Sequence, residues 1–253
     1  MKFARFLHHG KAFYGIVDQQ IYPITGDIFG EFQISPEGFK PEDVKLLPPC
    51  QPSKIILVGL NYSDHVKESQ SSNVVPEEPV LFMKPSTSVI GPDETIFYPE
   101  GVERLDFEAE LAVVIKDRCK NLTPSLVPDY ILGFTCLNDV TARNLQKKDG
   151  QWTRAKSFDT FCPLGPFIVD KIDVGNSKIE SYLNGKLCQS SNTNQMIFSP
   201  EKIVSFVSQA MTLLPGDVIS TGTPAGVGPM QPGDTVEIFI ENIGTLRNYV
   251  KKA

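Results

Sequence analysis

The residues with the types and spacing for chemistry are acidic. In "RLDFEAELAVVI", residues 104–115, apolar Phe107, Ala109, Leu111, Val113 and Ile115 alternate with Glu108 and Glu110. An extended chain turns successive side chains to opposite faces, so both glutamates share the face away from the apolar set. Their α-carbons then stand about 6.5–7 Å apart. At an effective dielectric of 20, two ionised groups at that spacing repel by roughly 2–3 kcal/mol. A site that excludes water must offset this repulsion, and a bound cation does so directly. Asp139, in "CLNDVTARNLQKK", lies between an expected strand and an expected helix, a position from which a third carboxylate can join a shared site. Three carboxylates without histidine or thiolate make a hard oxygen site, suited to Mg²⁺ or Mn²⁺ and poorly suited to zinc. By residue type alone, two plainer readings stay open: glutamates on a water-facing sheet surface, and Asp139 as a helix N-cap.

The elements that must position these groups are mostly strands. "KFARF", "FYGIV" and "IYPI" alternate in polarity and are separated by short polar stretches, as in a small N-terminal β-meander. Residues 35–54 carry Pro36, Pro41, Pro48, Pro49 and Pro52, a density that excludes long regular elements and marks a connector. A boundary is expected near residue 50, giving a small N-terminal β domain over 1–50 and a larger unit over 51–253. "KIILVG" reads as a buried strand, and further strands are expected at "PVLFMK", "FEAELAVVI", "DYILGFTCL", "FCPLGPFIV", "IESYLNG" with "KLCQS", and "DTVEIFIE" with "TLRNYV". "NYSDHVKES" reads as a short helix capped by Ser63, followed by the polar stretch "SQSSNVVPEEP". In "SPEKIVSFVSQAMTLL" Ser199 caps, Pro200 suits the first turn, and Ile203, Phe206, Val207, Ala210, Met211 and Leu214 form one apolar stripe. "PGD" occurs at 215–217 and 232–234, each time as a turn feeding a strand.

Composition narrows the partners. A net charge of −6 over 253 residues gives no attraction to phosphate backbones or anionic lipid, so nucleic acid is excluded as a partner class. The five cysteines are scattered and form no zinc-ligand spacing, as for free thiols in a reducing compartment. No apolar run has the ~20 residues of a membrane span, and the opening lacks the apolar core of a signal peptide. A cytoplasmic location away from membranes is expected.

The series "GLNYSDHVKE", "LFMKPSTSVIGP", "LDFEAELAVVI", "GFTCLNDVTARNLQ", "AKSFDTFCPLGP" and "STGTPAGVG" resembles the fumarylacetoacetate hydrolase family, in its order, from about residue 54 to the end. The resemblance implies an α+β fold, predominantly β: a mixed β-sandwich roll with the small N-terminal meander in front, assembled as a homodimer. It implies Mg²⁺ or Mn²⁺ held by Glu108, Glu110 and Asp139, on which a keto acid substrate or its enol chelates. It also implies that His65 and Glu68, three apart on one helix face, form a water-activating pair. This helix is expected to belong to a lid that orders over substrate. Lys156 matches a basic residue near metal and substrate, and Arg143, Gln146 and Thr223 match substrate-contacting positions. Lys84 and Ser86 are weaker candidates for the cleft wall. The glycines of "TGTPAGVG" permit close backbone approach, but no GKS or GKT follows, so the loop is not a phosphate-binding loop. His8 and His9 read as turn residues.

The function expected from this set is carbon-carbon bond cleavage in a β-diketo or β-keto acid, either acylpyruvate hydrolysis or oxaloacetate decarboxylation, through a metal-stabilised pyruvate enolate. Isomerisation or tautomerisation of a related diacid, such as 2-hydroxyhepta-2,4-diene-1,7-dioate, uses the same chelate and is the alternative. A noncatalytic acid-binding protein is a third class, set apart by metal-induced stabilisation without turnover.

Overall fold

A computed structural model describes residues 1–64 and 76–253. Among these the long strands fall into three sheets. The 12-stranded sheet runs in the order Phe32–Ile34, Ile21–Gly26, Lys11–Val17, Lys2–His8, Cys162–Val169, Ile131–Asn138, Ala109–Ile115, Val218–Ser220, Ile55–Gly59, Val80–Lys84. Two further short strands pair off this path. The N-terminal meander is therefore continuous with the main sheet, Lys2 and Phe3 pairing with Val169 and Ile168. A five-stranded sheet carries Lys186–Asn192, Lys178–Leu183, Thr235–Ile240, Gly244–Lys252 and Thr95–Tyr98. A three-stranded sheet carries Thr141–Ala142, Leu105–Phe107 and Gly228–Met230. Pairing is mixed, with Val218–Ser220 parallel to Ile55–Gly59 and Gly244–Lys252 parallel to Thr95–Tyr98. The fold is the predominantly β, α+β architecture expected.

The strand Ala109–Ile115 is buried along its whole length. Leu111, Val113 and Ile115 enter the larger core with Ile56, Val58 and Ile238, while Ala112 and Val114 enter a second core with Ile55, Leu57 and Ile168. Burial of a Val or Leu side chain contributes about 1.5–3 kcal/mol, so this strand is anchored from both sides. The expected continuous strand over "FEAELAVVI" is interrupted at Glu108, where the chain passes from the three-stranded to the 12-stranded sheet. Asn138 explains the break, since its Oδ1 accepts from Glu108 N at 3.0 Å in place of a ladder carbonyl.

The helix Pro200–Ala210 begins as expected, with Ser199 accepting from Lys202 N at 3.4 Å. Its buried face differs from the expected stripe. Ile203, Val204 and Val207 are buried, but Phe206 is half-buried, Ala210 is exposed and Leu214 is 37% exposed. The helix stops at Ala210 and Met211 is extended, so helical spacing no longer applies and Leu213 turns inward instead. Ser205 and Ser208 are buried because Ser205 Oγ donates to Leu122 O at 2.8 Å and Ser208 Oγ accepts from Leu122 N at 2.9 Å. Both "PGD" turns place their glycine at positive φ, +83° for Gly216 and +104° for Gly233, and each aspartate accepts from the amide three residues earlier. Among the described residues no helix is long and apolar enough to cross a membrane.

Candidate active site

The antiparallel register of Ala109 with Asn138 sets Asp139 beside Glu108, and Asp139 N donates to Glu108 O at 2.9 Å. One carboxylate oxygen from each of Glu108, Glu110 and Asp139 lies within 4.8 Å of the others. The three are 5%, 1% and 0% exposed, which overturns the water-facing reading of the glutamates. The N-cap reading of Asp139 fails as well, since the helix Arg143–Asp149 starts after Ala142 and has no side-chain cap.

Three cations and a loop hold these carboxylates. Lys156, buried at the end of the short helix Thr153–Lys156, donates from Nζ to Asp139 Oδ2 at 2.5 Å and to Glu108 Oε2 at 3.2 Å. The Phe82 ring lies 4.9 Å from the same ammonium, with Trp152 edge-on to Phe82. Lys84 Nζ stands 2.8 Å from Asp139 Oδ1. Its three protons have the carbonyls of Val140, Lys156 and Phe161 to go to, at 3.0, 2.8 and 2.7 Å. Arg143 Nη2 donates to Glu108 Oε1 at 2.5 Å. Glu110 Oε2 accepts from Ser220 Oγ at 2.5 Å and Gly222 N at 3.1 Å.

Burial dominates the titration of this cluster. It pushes Glu110 well above the usual carboxylate range, reinforced by the charges of Asp139 and Glu108. It raises Asp139 too, against the pull of Lys156 and Lys84. Lys84 is shifted down by the same loss of water, with Asp139 opposing. Each shift is toward the neutral form, the expected response of charges gathered away from solvent.

The donor set fits a hard divalent cation. All three converging groups are carboxylates. Asp139 Oδ1 is buried with only the Lys84 ammonium beside it, at 2.8 Å, and the site holds no softer nitrogen or sulfur donor among the three residues that converge.

The expected substrate residues are placed as follows. Lys156 is at the carboxylates. Arg143 and Gln146 are drawn together, Arg143 Nη1 donating to Gln146 Oε1 at 2.9 Å. Thr223 is buried and accepts from Gln189 Nε2 at 2.8 Å. It follows Gly222, whose φ of +92° and 2.9 Å clearance to Asn61 Cβ leave no room for a side chain. Gly226 likewise lies with Cys188 O 2.5 Å from a would-be Cβ. Ser86 is exposed in a 3₁₀ turn, and His9 occupies a hairpin turn at φ +46°. His65, Glu68 and the part of the expected lid over 65–75 lie outside the described residues.

Several residues of the site were not singled out in the sequence. Asp106 is fully buried and bound to Arg143; it stands two before Glu108, a spacing that was legible. Gln189 ties Ala109 N to the Thr223 loop, and nothing in its sequence context signals this. The Tyr62 hydroxyl is buried without a hydrogen bond among the described residues, and burial, then Glu110, raises its pKa and keeps it a proton donor.

A family model described as the fumarylacetoacetate (FAA) hydrolase C-terminal region matches residues 54–251, and one described as Rv2993c-like, N-terminal matches residues 1–49. Oxaloacetate tautomerase Fahd2a, mitochondrial, of Rattus norvegicus is 44% identical over 216 residues, 81% of this chain and 68% of that protein. The structure of 5-carboxymethyl-2-hydroxymuconate delta-isomerase from Mycobacterium smegmatis superposes over 100% of both chains with a TM-score of 0.94 and 41% identity. Fumarylacetoacetate hydrolase from Exiguobacterium antarcticum does so with a TM-score of 0.86 and 37% identity.

Proposed function

The chain belongs to the fumarylacetoacetate hydrolase family, and on that premise we propose a divalent-metal-dependent enzyme that interconverts the keto and enol forms of a 2-oxo diacid. The observation that carries the reading is the convergence of Glu108, Glu110 and Asp139 within 4.8 Å in a buried setting. The similarity to an oxaloacetate tautomerase and to a delta-isomerase supports tautomerisation as the outcome.

In this reading Glu108, Glu110 and Asp139 hold Mg²⁺ or Mn²⁺. An ion held there would supply Lewis acidity to the oxygens of a 2-oxo acid. Lys156, already at the metal-facing carboxylates, presents its ammonium to the substrate oxygen on which negative charge develops. Lys84 stays behind Asp139 and fixes its orientation. Arg143 turns Glu108, while Thr223 and the backbone of Gly222 form the wall beside Glu110. Exclusion of water by these walls strengthens every charge interaction within them. Proton transfer at the substrate carbon is assigned to His65, oriented by Glu68, on the strength of the "NYSDHVKE" block.

Hydrolytic cleavage of an acylpyruvate is the second reading, with decarboxylation of oxaloacetate as a variant. The His65–Glu68 pair favours it, as does the similarity to a fumarylacetoacetate hydrolase. There the same pair activates water that attacks the distal carbonyl. We read residues 51–253 as the catalytic unit and 1–50 as an N-terminal module, a division supported by the family matches at 54–251 and 1–49. A cytoplasmic homodimer completes the proposal.

The test is a substrate panel of enol-oxaloacetate, acylpyruvates and a 2-hydroxydienedioate, assayed with Mg²⁺, Mn²⁺ or chelator. Metal-dependent loss of enol absorbance is expected with oxaloacetate. Faster acylpyruvate cleavage would promote the second reading, and turnover indifferent to chelation would end both.

A further inference from the structure

Asp106 lies two residues before Glu108 with no solvent exposure, and the chemistry above makes no use of it. Its Oδ2 accepts from Arg143 Nε at 2.9 Å. Arg104 brackets it from the outer side, Nε to Oδ1 at 2.8 Å and Nη2 to Oδ2 at 3.0 Å. Arg143 uses its other two nitrogens on the site, Nη2 on Glu108 Oε1 at 2.5 Å and Nη1 on Gln146 Oε1 at 2.9 Å. A guanidinium is a rigid planar fork, so fixing Nε fixes the direction in which Nη2 reaches.

We propose that Asp106 is a positioning residue for the metal site, acting through Arg143 to aim the Glu108 carboxylate. This rests on the reading of Glu108, Glu110 and Asp139 as the divalent-cation site. Asp106 has two effects on Glu108. It sets the plane of the Arg143 fork, and it shares the Arg143 charge, which otherwise falls wholly on Glu108 and competes with a cation for its oxygens. Groups that orient metal ligands in this way tune metal affinity. A merely structural role, as a buried ion pair tying the three-stranded sheet to the helix Arg143–Asp149, predicts lower stability with metal binding unchanged.

The experiment is Mn²⁺ binding to the full chain without substrate, followed by calorimetry and by the paramagnetic resonance spectrum of bound Mn²⁺. Asp106→Asn keeps the shape and removes the charge. Its Mn²⁺ affinity is expected to fall by about tenfold or more, with an altered bound spectrum. Arg104→Ala removes the exposed partner, spares the Asp106–Arg143 bond, and is expected to leave affinity near wild type. Folded Asp106→Asn with wild-type affinity and spectrum overturns the inference. Should that variant not fold, Arg143→Lys keeps a cation beside Glu108 without the fork and carries the same expectation; unchanged affinity there is equally fatal. Wild-type protein that binds no Mn²⁺ overturns the proposed function and this inference together, whereas binding that survives Asp106→Asn overturns this inference alone.

Discussion

Lys84 Nζ and Asp139 Oδ1 stand 2.8 Å apart, with neither side chain exposed to solvent. Lys84 also donates to the carbonyls of Val140, Lys156 and Phe161, and so joins the segment after Asp139 to the helix that presents Lys156. Lys84→Met leaves three buried carbonyls and one carboxylate without this partner. Removing one member of a buried pair costs about 3–5 kcal/mol, and a urea midpoint lowered to match is expected. Mn²⁺ should recover part of the loss, because the ion returns positive charge to Asp139. A stability loss below about 1 kcal/mol would refute this bracing role.

Glu110→Gln is expected to separate stability from metal binding. The amide keeps the side-chain shape and can still accept from Ser220 and Gly222 N, as Glu110 does. It also removes a carboxyl group whose ionised form would stand within 4.8 Å of two other carboxylates, where each ionised pair repels by about 3 kcal/mol at an effective dielectric of 20. Melting in chelator should therefore be no lower than for wild type. The rise in Tm caused by Mn²⁺ in the wild type should disappear. A variant markedly less stable in chelator would show that the charge of Glu110 already has its compensation in the metal-free protein.

The pH dependence follows from the raised Glu110. Burial, then Asp139 and Glu108, lift its folded pKa above the unfolded value. In metal-free protein its contribution to stability is full below the unfolded carboxylate pKa and is lost as pH rises through the raised folded value. Metal binding runs the other way, because the cation takes the ionised form. Mn²⁺ affinity should climb with pH across that window and then level off, with protons released on binding. Calorimetry in buffers of different ionisation enthalpy measures the release. No release at any pH above the unfolded carboxylate value, together with flat affinity, would contradict the assignment.

The parts of this molecule legible in the sequence are those set by local rules. Period-two alternation placed Glu108 and Glu110 on one face, and the cap and Pro200 marked the start of a helix. The interruption at Glu108 was not legible, because it depends on Asn138, a residue thirty positions away whose side chain replaces a ladder partner. The helix stripe failed at Leu214 because the helix ends at Ala210, and at Ala210 because hydrogen bonds between the Asn121–Leu122 backbone and Ser205 and Ser208 turn a different face inward. In the site, type and spacing indicated the acids, and family resemblance added Lys156. The central place of Lys84 depends on three carbonyls from distant segments, which no pattern along the chain encodes.

Gln189 offers the last test, because one buried side chain links the strand that carries Glu110 to the proposed substrate loop. Its Oε1 accepts from Ala109 N at 3.0 Å, between the two glutamates, while its Nε2 donates to Thr223 Oγ1 and Pro224 O, both at 2.8 Å. Gln189→Leu keeps similar volume and loses all three bonds, so a stability loss of about 1–3 kcal/mol is expected. The ligands of the proposed cation site come from Glu108, Glu110 and Asp139, and Mn²⁺ affinity should change little. The loop should lose its registration, raising KM for the turned-over acid more than it lowers kcat. Thr223→Val removes the hydroxyl from the other end of the same link. If the link acts as a unit, the double variant raises KM no more than the worse single one, and fully additive effects would show that Gln189 and Thr223 act separately.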